Sequence, residues 1–164
     1  MMMEEPTRQA AEADPGFAGA IHGTTVLLNG RAVMIRGGSG SGKSDLALRL
    51  IDRGAQLLSD DYTDVVSRDG GVVASTPPNI AGLIEVRGIG LVAMPHAAEA
   101  PLALIVALLP EGEAPPERYP AEPRAVRLCG QDVPLLTLRP FEASAPIKVE
   151  LALDRPPPQF GSET

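Results

Sequence analysis

The stretch Gly37-Gly38-Ser39-Gly40-Ser41-Gly42-Lys43-Ser44 fits the pattern G-x-x-x-x-G-K-[ST] at every position. Its glycines let backbone N–H groups turn inward around a phosphate, in conformations that are closed to residues with a side chain. Lys43 can then reach the outer phosphates of a nucleotide, and the Ser44 hydroxyl can bind Mg²⁺. The stretch therefore predicts a phosphate-binding P-loop.

A flexible linker rich in glycine and serine is the alternative interpretation, and the flanking sequence argues against it. Residues 32–35 form a short apolar run that predicts a strand directly before the loop. Residues 44–53 repeat apolar side chains at helical spacing, and Gly54 stands where such a helix would end. A P-loop requires this order of strand, loop and helix, because the helix N-terminus adds its dipole to the anion site.

Composition and charge limit the class of protein. The 164 residues suit one domain with an aliphatic core, since aromatic residues make up only 3% of the chain. A net charge of −7 disfavours a nucleic-acid partner, and the single cysteine, Cys129, excludes an internal disulfide. The longest apolar run, residues 102–109, is too short to span a bilayer, and the acidic N-terminus lacks a signal-peptide core. We therefore expect a cytoplasmic protein that binds neither nucleic acid nor membrane.

Turn signals on both sides of the loop predict an α/β domain with a mixed sheet and several hairpins. Asn29-Gly30 separates the strand-like residues 22–28 and 31–35, and similar signals at 69–71 and 130–131 predict two more hairpins. The remaining expectations are a central strand at 102–109, a helix or a strand at 146–153, a disordered tail at 1–18, one domain at 19–154 and a loose tail at 155–164.

Two adjacent carboxylates follow the next predicted strand. Asp60 and Asp61 come directly after the apolar residues 55–59. Carboxylates at the end of such a strand can face the outer phosphates, where one holds a metal ion and the other accepts a proton from an attacking hydroxyl. A solvated turn or a helix N-cap is the ordinary use of aspartate. The pair, so soon after a P-loop, favours the functional interpretation.

A second charged segment lies at residues 84–87. Strand alternation places Glu85 and Arg87 on one face, while Ile84 and Val86 point to the core. Taken alone, this charged pair predicts no more than a surface salt bridge. The other candidate side chains are equally ordinary when taken singly: a surface or core histidine at 22 and solvated loop arginines at 118 and 139.

Together these segments resemble HPr kinase/phosphorylase, in its catalytic domain. The P-loop is a general motif, whereas Asp60-Asp61 at this spacing and Glu-Val-Arg-Gly-Ile-Gly at 85–90 are more specific. The resemblance implies a P-loop domain like the nucleotide domain of phosphoenolpyruvate carboxykinase. The matching segments fall within residues 21–153 and include His22-Gly23, the Asn29-Gly30 hairpin, the P-loop, Leu57-Leu58, Asp60-Asp61, Ile84 to Gly90 and Leu138-Arg139-Pro140.

The resemblance also implies an activity and its partners. It implies ATP- and Mg²⁺-dependent phosphorylation of a serine on HPr, the small phosphocarrier of the bacterial phosphotransferase system. Members of the family can run the reverse phosphorolysis of phosphoserine-HPr, and they form hexamers, which implies a homo-oligomer. A small-molecule kinase of the same fold and a non-catalytic ATP-binding regulator are the alternatives.

Residue roles are carried over only at matched positions. The resemblance implies that Lys43 binds phosphate, that Ser44 and Glu85 bind the metal ion, and that the aspartate pair deprotonates the serine. Asp61 is favoured as the base, with Asp60 beside it. The resemblance further implies ATP contacts along residues 37–44, catalytic roles for His22 and Arg118, and partner or phosphorolysis roles for Arg87, Gly88, Arg139 and Pro140.

Four departures from the family pattern modify these expectations. About 20 residues precede the match, which resembles the short form of alphaproteobacteria, without the usual N-terminal domain. Asp45 stands where the family has Glu, and the stretch between Gly90 and Leu102 lacks the glycine-rich basic loop that helps to bind HPr. Phe141-Glu142 replaces Gly-Arg, which removes a cation for phosphate and favours the kinase over the phosphorylase reaction.

Overall fold

The computed structural model describes residues 7–116, 118 and 124–154. Over this part of the chain, one mixed β-sheet carries most of the structure, and two of the three helices pack on one of its faces. The helices are α1 (Arg8–Ala13), α2 (Lys43–Asp52) and α3 (Ala145–Asp154). The strands are β1 (Ala18–His22), β2 (Thr24–Leu28), β3 (Arg31–Arg36), β4 (Gln56–Ser59), β5 (Tyr62–Arg68), β6 (Gly71–Ser75), β7 (Leu83–Val86), β8 (Gly90–Ala93), β9 (Glu99–Leu108), β10 (Ala125–Leu128) and β11 (Gln131–Leu138).

The three predicted hairpins are confirmed, and each turns through two residues. The turn residues Asn29-Gly30, Asp69-Gly70 and Cys129-Gly130 all have positive φ angles, between 49° and 79°. This left-handed backbone matches the twist of the flanking strands in a type I′ turn. The third turn lies one residue earlier than the sequence predicts.

The P-loop leaves the sheet near its centre. The strand order is β1-β5-β6-β9-β3-β2-β4, and β11 pairs with the carboxyl half of β9 while β10 pairs with β11. The strands β3, β9 and β11 are parallel, and β4 is parallel to β3 because both run antiparallel to β2. Four carboxyl ends therefore meet at one edge, which is where open α/β sheets bind ligands.

Both faces of the central strands are buried, as their continuous apolar sequences predict. On β3, Val33 and Ile35 pack with α2 and α3, whereas Met34 packs in a second core on the opposite face. Leu46 and Leu50 of α2 are fully buried in the first core. This packing fixes the start of α2 against the end of β3, so the P-loop between them is held at both ends.

The N-terminal segment differs from the disordered tail expected at residues 1–18. Residues 7–18 are described and contain α1, whereas 1–6 and the expected tail at 155–164 lie outside the described residues. Glu12 is buried and forms ion pairs with Arg8 and Arg36. The N–H groups of Cys129 and Gly130 donate to the carbonyl oxygens at the end of α1. Because these partners are distant in sequence, the local sequence of this acidic segment does not predict the contacts.

Other boundaries also differ from the expected ones. His22 ends β1 instead of opening the arm of the Asn29-Gly30 hairpin, because Gly23 separates β1 from β2. Residues 90–93 form β8, which pairs with β7. Residues 145–154 are helical, so the strand alternative for 146–153 is wrong.

Within the described ranges, none of the helices has the length and apolar character that a bilayer crossing needs.

Candidate active site

The P-loop connects the end of β3 to the start of α2. Gly42 is the N-cap of α2 and has a φ of +100°, a left-handed conformation that favours glycine. Lys43 is buried, and its Nζ donates to the carbonyl oxygens of Gly37 and Gly38 at 3.0 Å each. Ser41 Oγ is buried without a hydrogen-bond partner among the described residues. A buried hydroxyl without a partner is uncommon in folded proteins.

A cavity of about 580 Å³ opens beside the loop. This volume suits a nucleotide, because small-molecule sites typically occupy about 300–1,000 Å³. The cavity is lined by the P-loop, α2, the end of β4, the end of β7 and the segment after β11. The lining residues are Ser39, Gly40, Gly42, Lys43, Ser44, Asp45, Leu48, Asp60, Asp61, Glu85, Val86, Arg87 and Phe141.

Asp60 is buried after the end of β4 and is bound by three donors. Its Oδ1 accepts hydrogen bonds from Ser44 Oγ at 2.7 Å and from Thr24 Oγ1 at 3.0 Å. Its Oδ2 accepts one from the backbone N–H of Glu85 at 2.9 Å. These contacts fix the carboxylate against the P-loop serine and occupy both of its oxygens.

Asp61 has a different environment, although it is the next residue. Its Oδ1 lies 2.8 Å from His22 Nε2, and its side chain is 59% exposed. Its backbone has a φ of +67°, a conformation that aspartate tolerates better than most residues. The ring of Tyr62 lies 5.3 Å from the His22 ring, centre to centre. Asp61 thus presents an accessible carboxylate, held by a histidine, at the wall of the cavity.

The strand alternation predicted for residues 84–87 is confirmed. Ile84 is fully buried and Val86 packs against the first core, whereas Glu85 and Arg87 are exposed and line the cavity. Within the part of the chain that the structure describes, no ion pair joins Glu85 to Arg87. The bond from Glu85 N to Asp60 brings β7 against the P-loop serine, so the Glu85 side chain reaches the same cavity.

Eight of the predicted site residues are not among those that line the cavity: His22, Gly37, Gly38, Ser41, Gly88, Arg118, Arg139 and Pro140. Gly88 lies in the exposed turn between β7 and β8, with a φ of +89°. Pro140 is buried, and the exposed Arg139 donates to Glu113 O at 3.3 Å. Arg118 is exposed and lies outside the lining. The expected approach of the two arginines to the phosphate site is therefore not observed over the described residues.

Two residues that build the site escape the sequence patterns. Thr24 Oγ1 donates to Asp60 and accepts from the backbone N–H of Asp61, so it holds the aspartate pair in place. Arg49 donates to the carbonyl oxygens of Pro140 and, at 3.3 Å, of Glu142, and so fixes the segment after β11. The sequence feature that could have indicated Thr24 is a polar residue in a strand that is mostly apolar and buried. Arg49 has no local signal, because its partners lie more than 90 residues away.

Comparison with known proteins identifies a family whose model matches most of this chain. The family model described as the HPr serine kinase C-terminal domain matches residues 17–141. A relative from Enterococcus faecalis, named HPr kinase/phosphorylase, is 47% identical over 74 residues, which cover 44% of this chain and 24% of the relative. A relative of the same name from Clostridium botulinum is 44% identical over 72 residues, with the same coverage.

A solved structure is similar over most of the chain. The Hpr(Ser) kinase/phosphatase from Coxiella burnetii aligns with a TM-score of 0.72 and 26% sequence identity, covering 82% of this chain and 88% of that chain. The expected α/β fold with a mixed, hairpin-rich sheet is therefore confirmed. The chain spans about a quarter of the length of the curated relatives it matches.

Proposed function

Since the chain belongs to the HPr serine kinase C-terminal domain family, we propose that it is an ATP- and Mg²⁺-dependent kinase that phosphorylates a serine of HPr. One observation carries this proposal. Of two adjacent aspartates beside the P-loop, one is bound to the P-loop serine, and the other is exposed and bound to a histidine. Phosphoryl transfer needs these two environments, a site for the metal ion and an accessible base.

The residues present fit a Mg²⁺ ion. Ser44 Oγ and the Asp60 carboxylate lie 2.7 Å apart, and Glu85 lines the same cavity. Mg²⁺ prefers oxygen ligands and commonly uses one or two carboxylates, with phosphate and water completing its shell. The described residues contain no cluster of three His, Cys, Asp or Glu side chains that forms a full metal cage, and nucleotide-bound Mg²⁺ does not require one. When bound, the ion neutralises phosphate charge.

The transfer follows from the placement of the remaining groups. Asp61 accepts the proton of the serine hydroxyl while the hydroxyl oxygen attacks the γ-phosphorus and the bond to the bridging oxygen breaks. His22 orients the carboxylate through the 2.8 Å contact. Lys43 and the P-loop N–H groups stabilise the negative charge of the transferred group. Asp60 is less suited to be the base, because three donors already occupy its oxygens.

Exposed apolar side chains next to the cavity favour a protein substrate over a small molecule. Ile89 and Leu91 of the β7–β8 hairpin are 77% and 72% exposed, and Arg87 of the same hairpin lines the cavity. Exposed apolar surface of this kind is typical of protein contacts. It supports HPr as the substrate over the metabolite of a small-molecule kinase. The accessible carboxylate of Asp61 argues against a non-catalytic ATP-binding regulator.

The forward reaction is the main activity in this proposal. Phosphorolysis of phosphoserine-HPr requires a site for inorganic phosphate, and the segment after β11 brings Phe141 to the cavity instead of a cation. We expect it to be slow relative to the kinase reaction. Assembly into a homo-oligomer, a hexamer by the family resemblance, and a cytoplasmic location with access to ATP belong to the same proposal.

The test incubates the protein with Mg²⁺, ATP and HPr from the same organism, and reads HPr by mass spectrometry for one phosphate on serine. Lys43→Ala is expected to abolish nucleotide binding or transfer. Asp61→Asn is expected to keep ATP binding and lower transfer by about 10²–10⁴-fold, the usual contribution of a general base. Asp132→Asn, at an exposed position of β11, is the matched control and is expected to retain full turnover.

The outcomes separate the alternatives. Unchanged turnover in Asp61→Asn would exclude the base assignment. ATP binding without any phosphate on HPr would favour the regulator, provided that a screen of metabolites also shows no transfer. Transfer to a metabolite in the absence of HPr would favour the small-molecule kinase.

A further inference from the structure

Phe141 is a feature of the cavity that the phosphate chemistry does not use. It is 70% exposed in a chain with only 3% aromatic residues, and it lines the cavity directly. An aromatic ring in a concave site offers a flat apolar face to a ligand. Binding of the metal ion and of the transferred phosphoryl group does not require such a face.

The position of the ring is fixed by its surroundings. A Cβ atom built on Gly42 would lie 2.9 Å from Phe141 Cζ, so the ring packs on the P-loop glycine at the start of α2. On both sides of Phe141 the backbone is held by Arg49, which donates to Pro140 O and Glu142 O. The ring is thus in place before a ligand arrives, which lowers the entropy cost of binding.

The topology separates Phe141 from the two aspartates. From the P-loop strand β3, the order β3-β2-β4 leads to Asp60 and Asp61 on one side. On the other side, the order β3-β9-β11 leads to Phe141. In the proposed mechanism, the aspartates lie beside the terminal phosphate. A nucleotide with its phosphates in the P-loop therefore has room for its base on the Phe141 side.

We propose that Phe141 and Leu48 form the site for the purine base of ATP, with the base stacked on the Phe141 ring. Leu48 lines the same cavity from α2 and adds a second apolar surface. Stacking on an aromatic side chain is a common way to hold a base, because every base has a flat π-face. The inference rests on the proposed use of ATP and identifies the element that recognises its base.

Nucleotide binding to the whole chain, without HPr, tests the inference. Isothermal titration calorimetry compares Mg²⁺-ATP with inorganic tripolyphosphate, which has the phosphates and no base. In Phe141→Ala, ATP affinity is expected to fall about tenfold or more, with tripolyphosphate affinity unchanged. Unchanged ATP affinity, or an equal loss for both ligands, overturns the inference.

A fluorescent variant provides a second, direct readout. The chain has no tryptophan, so Phe141→Trp introduces a single reporter that is expected to keep ATP affinity near the wild-type value. ATP should quench its emission and tripolyphosphate should not. Phe17→Trp, at a partly buried position packed against the second core and outside the cavity lining, is the control and should respond to neither ligand.

The possible failures are distinguishable. An emission at position 141 that saturating ATP leaves unchanged overturns the stacking inference alone, because ATP still binds. A wild-type protein that binds neither ATP nor tripolyphosphate overturns this inference together with the proposed function.

Discussion

Replacing Glu12 with Gln tests whether buried charge holds the N-terminal helix. The Glu12 side chain is 3% exposed, with Oε1 at 3.2 Å from Arg36 Nη2 and Oε2 at 3.1 Å from Arg8 Nε. Glutamine keeps the size of the side chain and removes its charge. Arg36, whose side chain is only 25% exposed, then loses the carboxylate that compensates its burial.

The magnitude follows from the burial of the two arginines. Removing one partner of a buried ion pair costs about 3–5 kcal/mol, whereas an exposed pair contributes about 0–1 kcal/mol. Arg8 is 68% exposed, so the bond to Arg36 supplies most of the effect. Because Arg36 retains some access to water, we expect a loss of about 2–3 kcal/mol, which lowers the melting temperature by roughly 4–12 °C in a chain of this size.

Thermal unfolding followed by circular dichroism measures this loss, and amide hydrogen exchange locates it. The N–H groups of Cys129 and Gly130 donate to the end of α1, so their exchange should accelerate in Glu12→Gln. Glu99→Gln is the matched control, since Glu99 pairs with Arg68 at 3.1 Å at an exposed site and should change little. A Glu12→Gln protein that melts with the control and shows unchanged exchange would refute the reasoning.

Two further predictions concern Asp60 and Cys129. Asp60→Asn replaces an oxygen that accepts hydrogen bonds with an amide donor, so the Mg²⁺ dependence of ATP affinity should weaken; a titration with the wild-type Mg²⁺ dependence would contradict this. Burial, and then the negative charge of Glu12, raise the pKa of the Cys129 thiol. The folded state therefore holds the proton more tightly, so the contribution of this thiol to stability should be constant below about pH 8 and fall as the pH rises further, because the unfolded thiol ionises first. Cys129→Ala should lose this alkaline decline in urea unfolding, and an equal decline in that variant would exclude Cys129 as its source.

Local signals predict most of the sheet. The Asn29-Gly30 and Asp69-Gly70 turns were predictable because a type I′ turn needs positive φ at both positions, which few residues other than Gly, Asn and Asp adopt at low cost. The central strand β9 was predictable because burial on both faces requires an unbroken apolar run. In each case the physical requirement lies within a few neighbouring residues, so a single sequence contains it.

The features that escape prediction depend on distant residues. The ion pair between Glu12 and Arg36 joins a short polar helix to the P-loop strand, and neither residue has a local feature that marks it. Arg36 also donates to the carbonyl oxygen of His22 at 3.3 Å. The N-terminal helix is thereby linked to the histidine that binds Asp61, over contacts that the order of residues along the chain does not indicate.

The aspartate pair shows why motif spacing leaves catalytic roles open. Asp60 and Asp61 follow the same strand and share one local pattern, so the sequence cannot assign their roles. Their difference arises in the folded chain, where donors from α2, β2 and β7 converge on Asp60, while the left-handed backbone at Asp61 turns the next carboxylate to His22 at the end of β1. Thr24 bonds to both residues and holds this division. The metal site and the base that we propose therefore depend on four separate elements meeting at one sheet edge.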